Sequence, residues 1–154
     1  QSAEQIITHL KSAESGDKNI DDEELIKRAM QIFSESFDEI NGGFSSAPKF
    51  PTPHNLLFLM LYAKQKQDSN ALKMAEKTLL QMRKGGIFDH IGYGFSRYST
   101  DKYFLAPHFE KMLYDNALLS YAYLEAFRMT GRISDHKEGM LCGSCTANGR
   151  LHPA

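Results

Sequence analysis

The sequence predicts an all-α fold of stacked helical hairpins, on three observations. Apolar residues recur at helical spacing in several segments, and glycine or proline clusters separate those segments. A pattern of helix, Gly-Gly, irregular loop, Ala-Pro-x-Phe and helix then occurs twice. The pairs Gly42-Gly43 and Gly85-Gly86 lie 43 residues apart, and Ala47-Pro48-Lys49-Phe50 and Ala106-Pro107-His108-Phe109 follow them. A hairpin repeated at this period stacks on its copy as a solenoid or closed toroid, with equivalent loops opening on one side.

Each element has a local reason. Ser2 to Glu14 places Ile6, Ile7 and Leu10 on one side of a short helix, and Ser15 to Asn19 reads as linker, so residues 1–20 form an N-terminal helix and linker. Asp21-Asp22-Glu23-Glu24 opens the next helix, acids suiting the positive end of its dipole. Leu25, Ala29, Phe33 and Phe37 carry it towards Ile40, and Asn41-Gly42-Gly43 stops it. Three prolines keep Phe44 to Pro53 out of regular helix. A helix follows from His54 to Gln67, and another from a cap at Ser69 or Asn70 to Gly85, with Leu72, Ala75, Leu79 and Met82 on one face. Phe95, Tyr98 and Tyr103 favour a short hairpin in the glycine-rich loop. A last helix runs from Pro107, a good first-turn residue, to Gly131. It is apolar nearly all round, which predicts burial on most sides, with Asp115 needing hydrogen bonds or a cation to stay ionised. Residues 21–131 are thus one helical domain, and the polar residues 132–154 read as a mobile tail.

Composition narrows the function classes. The 154 residues carry a net charge of −1, with ten acids against four bases in residues 1–41 and seven against eleven in 42–131. The basic residues are scattered, which argues against a nucleic-acid partner. No apolar run approaches the roughly 18 residues of a membrane span, and no basic leader precedes an apolar core, so a cytoplasmic location is expected. The body lacks cysteine and cannot be a disulfide scaffold.

Candidate chemistry gathers between Gly85 and Asn116. His108, Lys111 and Asp115 fall at i, i+3 and i+7 of the expected last helix, either as a stripe facing a ligand or as a Lys111–Asp115 ion pair with His108 near the helix start. Glu110 is a candidate acid beside them, or a first-turn carboxylate serving the dipole. Asp89-His90 pairs a carboxylate with an imidazole, suited to acid–base work, unless Asp89 shapes an Asx turn. Arg97 could clamp an anionic group or lie on an aromatic ring, with Tyr98 beside it. Lys49 and His54 are the first-loop counterparts. His108-x-Glu110 is not the His-Glu-x-x-His zinc pattern, and Gly92-x-Gly94 lacks the strand and lysine of a phosphate loop, so no metal or cofactor is expected. Cys142-Gly143-Ser144-Cys145, flanked by His136 and His152, has zinc or redox spacing but no helix after it.

Four stretches resemble the spermatogenesis-associated, thioredoxin-domain-containing proteins, a family also found in bacteria as a domain of unknown function. They are Gly42-Gly43-Phe44-Ser45-Ser46-Ala47-Pro48-Lys49-Phe50-Pro51-Thr52-Pro53-His54, Gly85 to His90, Gly92 to Asp101, and Pro107 to Asn116. The resemblance covers residues 1–131 and implies an (α/α)6 toroid of the six-hairpin glycosidase-like kind, preceded by a thioredoxin-like domain. It places Lys49, His54, Asp89, His90, Arg97, His108, Glu110, Lys111, Asp115 and Asn116 on motif positions without assigning roles. The chain departs from the family in carrying no thioredoxin-like part and in its residues after 131. The expectation is an incomplete (α/α)6 toroid holding about two hairpins. Its whole domain would act on a carbohydrate as hydrolase or epimerase, with Asp89, His108, Glu110 and Asp115 catalytic. Lys49, His54, His90, Arg97, Tyr98, Lys111 and Asn116 would bind a small carbohydrate. The alternative is a non-catalytic binding or scaffold module beside the thioredoxin-like domain. Exposed hairpin faces would favour self-association in either case.

Overall fold

The computed structural model describes residues 22–44 and 46–131. The helix and linker expected over 1–20, the tail 132–154 and the Cys142/Cys145 motif with His136 and His152 lie outside the described residues. The chain divides into two compact units, Gln1–Glu35 and Ser36–Ala154.

The described residues of the first unit, 22–35, belong to helix α1, Asp22–Ser36, with Asp22, Glu23 and Glu24 in its first turn. It stops four residues short of the expected Ile40. The Asp38 carboxylate accepts the backbone N–H groups of Ile40 and Asn41 at 3.0 and 2.9 Å, and the Asp38 N–H donates to the Gly43 carbonyl. This local turn satisfies the backbone outside a helix and so competes with its continuation.

The second unit is built on three helices. α2, Pro53–Lys66, begins with Pro53 in its first turn and ends at Gln67, a left-handed cap whose N–H donates to the Ala63 carbonyl. Two residues on, α3 spans Ser69–Lys84. Its cap is Asp68 rather than Ser69 or Asn70, and the carboxylate accepts from the Asn70 and Ala71 N–H groups at 2.7 and 3.1 Å. α2 buries Leu56, Leu59, Met60 and Ala63, and α3 buries Ala71, Met74, Ala75, Leu79 and Met82, the two forming a packed antiparallel hairpin. α4, Leu113–Thr130, packs on α2. The Tyr123 hydroxyl also donates to the Leu79 carbonyl at 2.7 Å.

Two expectations about α4 are corrected. Residues 107–112 are not helical, and the helix begins at Leu113. Pro107–His108 is instead strand β2, antiparallel to β1, Tyr98–Ser99, in register Tyr98↔His108 and Ser99↔Pro107. Backbone bonds from Arg97 N–H to Glu110 O (2.7 Å) and Thr100 N–H to Ala106 O (2.8 Å) extend the pairing. Proline's fixed φ suits a strand edge as well as a first helical turn, and here the ladder decides. Nor is α4 buried on most sides. Asn116, Leu119, Ala122, Tyr123 and Ala126 face inward, whereas Leu113, Tyr114, Leu118 and Tyr121 are 40–58% exposed.

The loops gather at one end of this unit. Lys49 and Ser99 exchange backbone hydrogen bonds of 2.9 and 2.8 Å, so the two Ala-Pro segments flank β1 on either side. Gly85 and Gly86 end α3 where residues 104 and 105 cross it. A Cβ on either glycine would run into the carbonyl oxygen of Phe104 or Leu105.

Candidate functional site

The expected i, i+3, i+7 stripe does not form, because residues 107–111 are extended and successive side chains point to opposite sides. The alternation sorts the candidates. His108 and Glu110 lie on one side with Arg97 and Tyr98. Pro107, Phe109 and Lys111 line a cleft on the other with Asp89 and His90.

On the even-numbered side, Arg97 Nη1 donates to Glu110 Oε2 at 2.9 Å, and His108 Nδ1 lies 4.0 Å from the same oxygen. The His108 ring stacks on Tyr98 with centroids 4.7 Å apart and planes at 20°, and Phe50 continues the run at 4.9 Å from Tyr98. Antiparallel register puts Tyr98 opposite His108, and the Lys49–Ser99 bridge brings up Phe50. Asp115, in the first turn of α4, is half-buried. Burial pushes its carboxyl above the ordinary value, and the positive charge of Arg97 and then His54 draws it partly back. The structure thus brings His54, Arg97, Tyr98, His108, Glu110 and Asp115 into one neighbourhood.

On the odd-numbered side, Lys111 Nζ donates to Asp89 Oδ2 and to the Tyr93 carbonyl, both at 2.6 Å. It does not pair with Asp115. Asp89 does form an Asx turn, its Oδ1 accepting from the Ile91 and Gly92 N–H groups at 2.9 and 2.7 Å. Partial burial alone would raise the Asp89 carboxyl. The Lys111 hydrogen bond, the two backbone N–H groups and the Lys111 charge outweigh it and lower it to about 2. His90 Nδ1 lies 2.9 Å from Arg83 Nη1, and its ring meets Phe88 edge-on at 5.2 Å.

Lys49 and Asn116, expected to bind substrate, are buried. Lys49 Nζ donates to Asp38 Oδ2 at 2.6 Å and to the Gly42 carbonyl at 2.7 Å. The Asn116 amide takes up both backbone groups of Phe95, Oδ1 accepting its N–H at 2.7 Å and Nδ2 donating to its carbonyl at 2.9 Å. Both side chains act here on the backbone of the loops.

Sequence reasoning passed over three residues. Asp38 is the partner of Lys49, and Phe109 stands 84% exposed at the cleft. Asp101 accepts from the Tyr103, Leu105 and Ala106 N–H groups and shapes the β1–β2 connection. The available signal for Asp38 was the echo of Phe37-Asp38-Glu39-Ile40 in Phe88-Asp89-His90-Ile91. Among the described residues, no three His, Cys, Asp or Glu side chains group to hold a metal ion, and no helix is long and apolar enough to cross a membrane.

No family model matches the chain. Over 120 residues, 74% of its length, it is 51% identical to spermatogenesis-associated protein 20 of Homo sapiens, of which it covers 15%. The chain therefore spans about a seventh of the curated relatives it matches. Among solved structures it is similar to cellobiose 2-epimerase from Bacillus thermoamylovorans, with a TM-score of 0.65, 17% identity, and coverage of 77% of this chain and 35% of that one. The cellobiose 2-epimerase of Spirochaeta thermophila gives a TM-score of 0.65 at 18% identity, covering 82% and 36%. At such identity the likeness concerns fold, and the fold is a partial (α/α)6 toroid of helical hairpins.

Proposed function

We propose that the even-numbered side of residues 107–111 is part of the sugar-binding wall of a carbohydrate-active toroid, of hydrolase or epimerase type, in the full-length protein. The carrying observation is the half-buried Asp115, its carboxyl raised by burial, close to Arg97 and His54, in the neighbourhood of the Phe50–Tyr98–His108 ring run. Exposed aromatic faces stack on the apolar faces of sugar rings, and a carboxyl with a raised proton affinity is better suited than an ordinary one to hold and return a proton. In this reading Asp115 and Glu110 are the two carboxyl groups that hydrolysis requires, and His108 carries a proton beside Glu110. For epimerisation one of them serves as the poised base. Arg97 orients Glu110 and offers its remaining N–H groups to sugar oxygens. Likeness of fold to sugar epimerases supports the substrate class but not a reaction, since one fold hosts many chemistries.

A second reading, a binding or scaffold module beside a thioredoxin-like domain, draws support from the paired lysines. Lys49 and Lys111 both close loops rather than present a free ammonium. One experiment separates the two. Melting temperature of the full-length protein is measured against a panel of monosaccharides and glycans, with Asp115→Asn as the variant. A sugar-dependent rise that Asp115→Asn diminishes while leaving folding intact is the expected result. No shift from any sugar, or lost stability with ligand binding unchanged, favours the scaffold.

A further inference from the structure

We propose that the cleft on the odd-numbered side of residues 107–111 is a second binding site, for a neutral, hydroxyl-rich ring such as a pyranose. It holds about 540 Å³, within the range of small-ligand pockets, and its lining includes Asp89, His90, Ile91, Ser96, Phe109 and Lys111. The alternation of an extended segment separates it from the even-numbered side, so a ring seated here does not touch His108 or Glu110.

Comparison with the first loop identifies what the cleft has beyond structural need. Lys49 closes its loop with the same two bonds that Lys111 makes, yet its side chain is 1% exposed and that of Asp38 20%. In the second loop the side-chain exposures are 15% for Lys111 and 36% for Asp89, and both residues face the cleft. The closure works with its lysine sealed and its carboxylate less exposed, so the wider opening of its second copy is not required by the fold.

The lining chemistry sets the ligand class. Asp89 Oδ2 and Lys111 Nζ put an acceptor and a donor 2.6 Å apart, which suits vicinal hydroxyls, one donating and one accepting. Their charges offset each other, so this pair offers a fully charged ligand no net attraction. Ser96 and His90 add further polar groups. At the rim Phe109 is 84% and Ile91 91% exposed, an apolar platform for the flat face of a ring.

Titration of this chain with cellobiose, followed through the Ile91 methyl resonance, tests the site, with glucuronate as the charged control. Saturable shifts at Ile91 are expected, weaker binding of glucuronate, and about a tenfold rise in Kd for Phe109→Ala, which removes an exposed side chain and leaves the fold intact. Asp115→Asn should leave this binding unchanged. No shift at Ile91, or equal binding by Phe109→Ala, overturns the second site. Cellobiose binding lost in Asp115→Asn but kept in Phe109→Ala also overturns it, while leaving the proposed function standing.

Discussion

The loops that follow Phe37 and Phe88 are two versions of one closure. In each, the opening phenylalanine bridges a second one seven residues on, with rings 5.8 Å apart for Phe37–Phe44 and 4.8 Å for Phe88–Phe95. In each, an Asp N–H donates to a glycine carbonyl, Gly43 or Gly94, at 3.0 or 2.9 Å. The two residues after the Asx turn have positive φ, 69° and 77° at Gly42 and Gly43, 60° and 83° at Tyr93 and Gly94. A lysine then ties the Asp to the carbonyl of the first of these. The difference lies in how far the chain travels before that lysine arrives. Phe44 to Lys49 is five residues, and Phe95 to Lys111 is sixteen. The longer excursion carries Arg97, Tyr98, His108 and Glu110. The closure is thus common to both loops, and Arg97, Tyr98, His108 and Glu110 sit in a stretch that the first loop does not have.

Substitutions can break or sharpen this comparison. The largest effect is expected from Lys49→Met, which leaves Asp38 and the Gly42 carbonyl without their buried cation, a loss of about 3 kcal/mol in urea unfolding. Gly42→Ala should cost about 2 kcal/mol by the same measurement. Its φ is +69°, and a Cβ would meet Thr78 Cα and the Lys77 carbonyl oxygen at 3.1 and 3.2 Å. Lys111→Met, in the more open copy, should cost only about 1 kcal/mol. If it costs more than Lys49→Met, the two closures are not equivalent.

Acid offers a further handle. Asp89 falls to about 2 from an ordinary 3.8 in the folded state. Its contribution to stability is therefore fully present above about pH 4 and is lost as pH falls through about 2. Asp38 acts in the same direction, its carboxyl held well below the usual range. Burial, which would raise it, is outweighed by the Lys49 hydrogen bond and the Asn41 and Ile40 contacts. Urea midpoints measured between pH 5 and 2 should fall less steeply in Lys111→Met than in the parent chain. The smallest effect is expected for Tyr93→Gly, within about 0.5 kcal/mol of neutral. Relief of a left-handed non-glycine residue offsets the added freedom of the unfolded chain.

The interiors of α2, α3 and α4 were legible because apolar spacing and Gly or Pro punctuation are local signals. The repeat was legible too, but its register was not. Matching Gly42-Gly43 to Gly85-Gly86 aligns residues with different duties. The first pair turns a loop at positive φ, whereas the second lets the carbonyls of Phe104 and Leu105 approach the end of α3. The structural match runs from Phe37 to Phe88, and it rests on backbone hydrogen bonds that composition does not display. The start of α4 was misplaced for a similar reason. His108, Lys111 and Asp115 mimic a helical stripe, and the competing partner of that segment, Arg97 to Ser99, was set by a long-range pairing.

The alternation of residues 107–111 bears on how this region can change over generations. Neighbours along the chain answer to different surroundings, so a substitution at Phe109 can be selected without disturbing His108 or Glu110 beside it. Losing or gaining one residue in the connection from Thr100 to Ala106 is another matter: unless absorbed there, it would turn the ribbon over and trade the two sets of side chains at a stroke. Point changes should therefore accumulate here far more readily than changes of length.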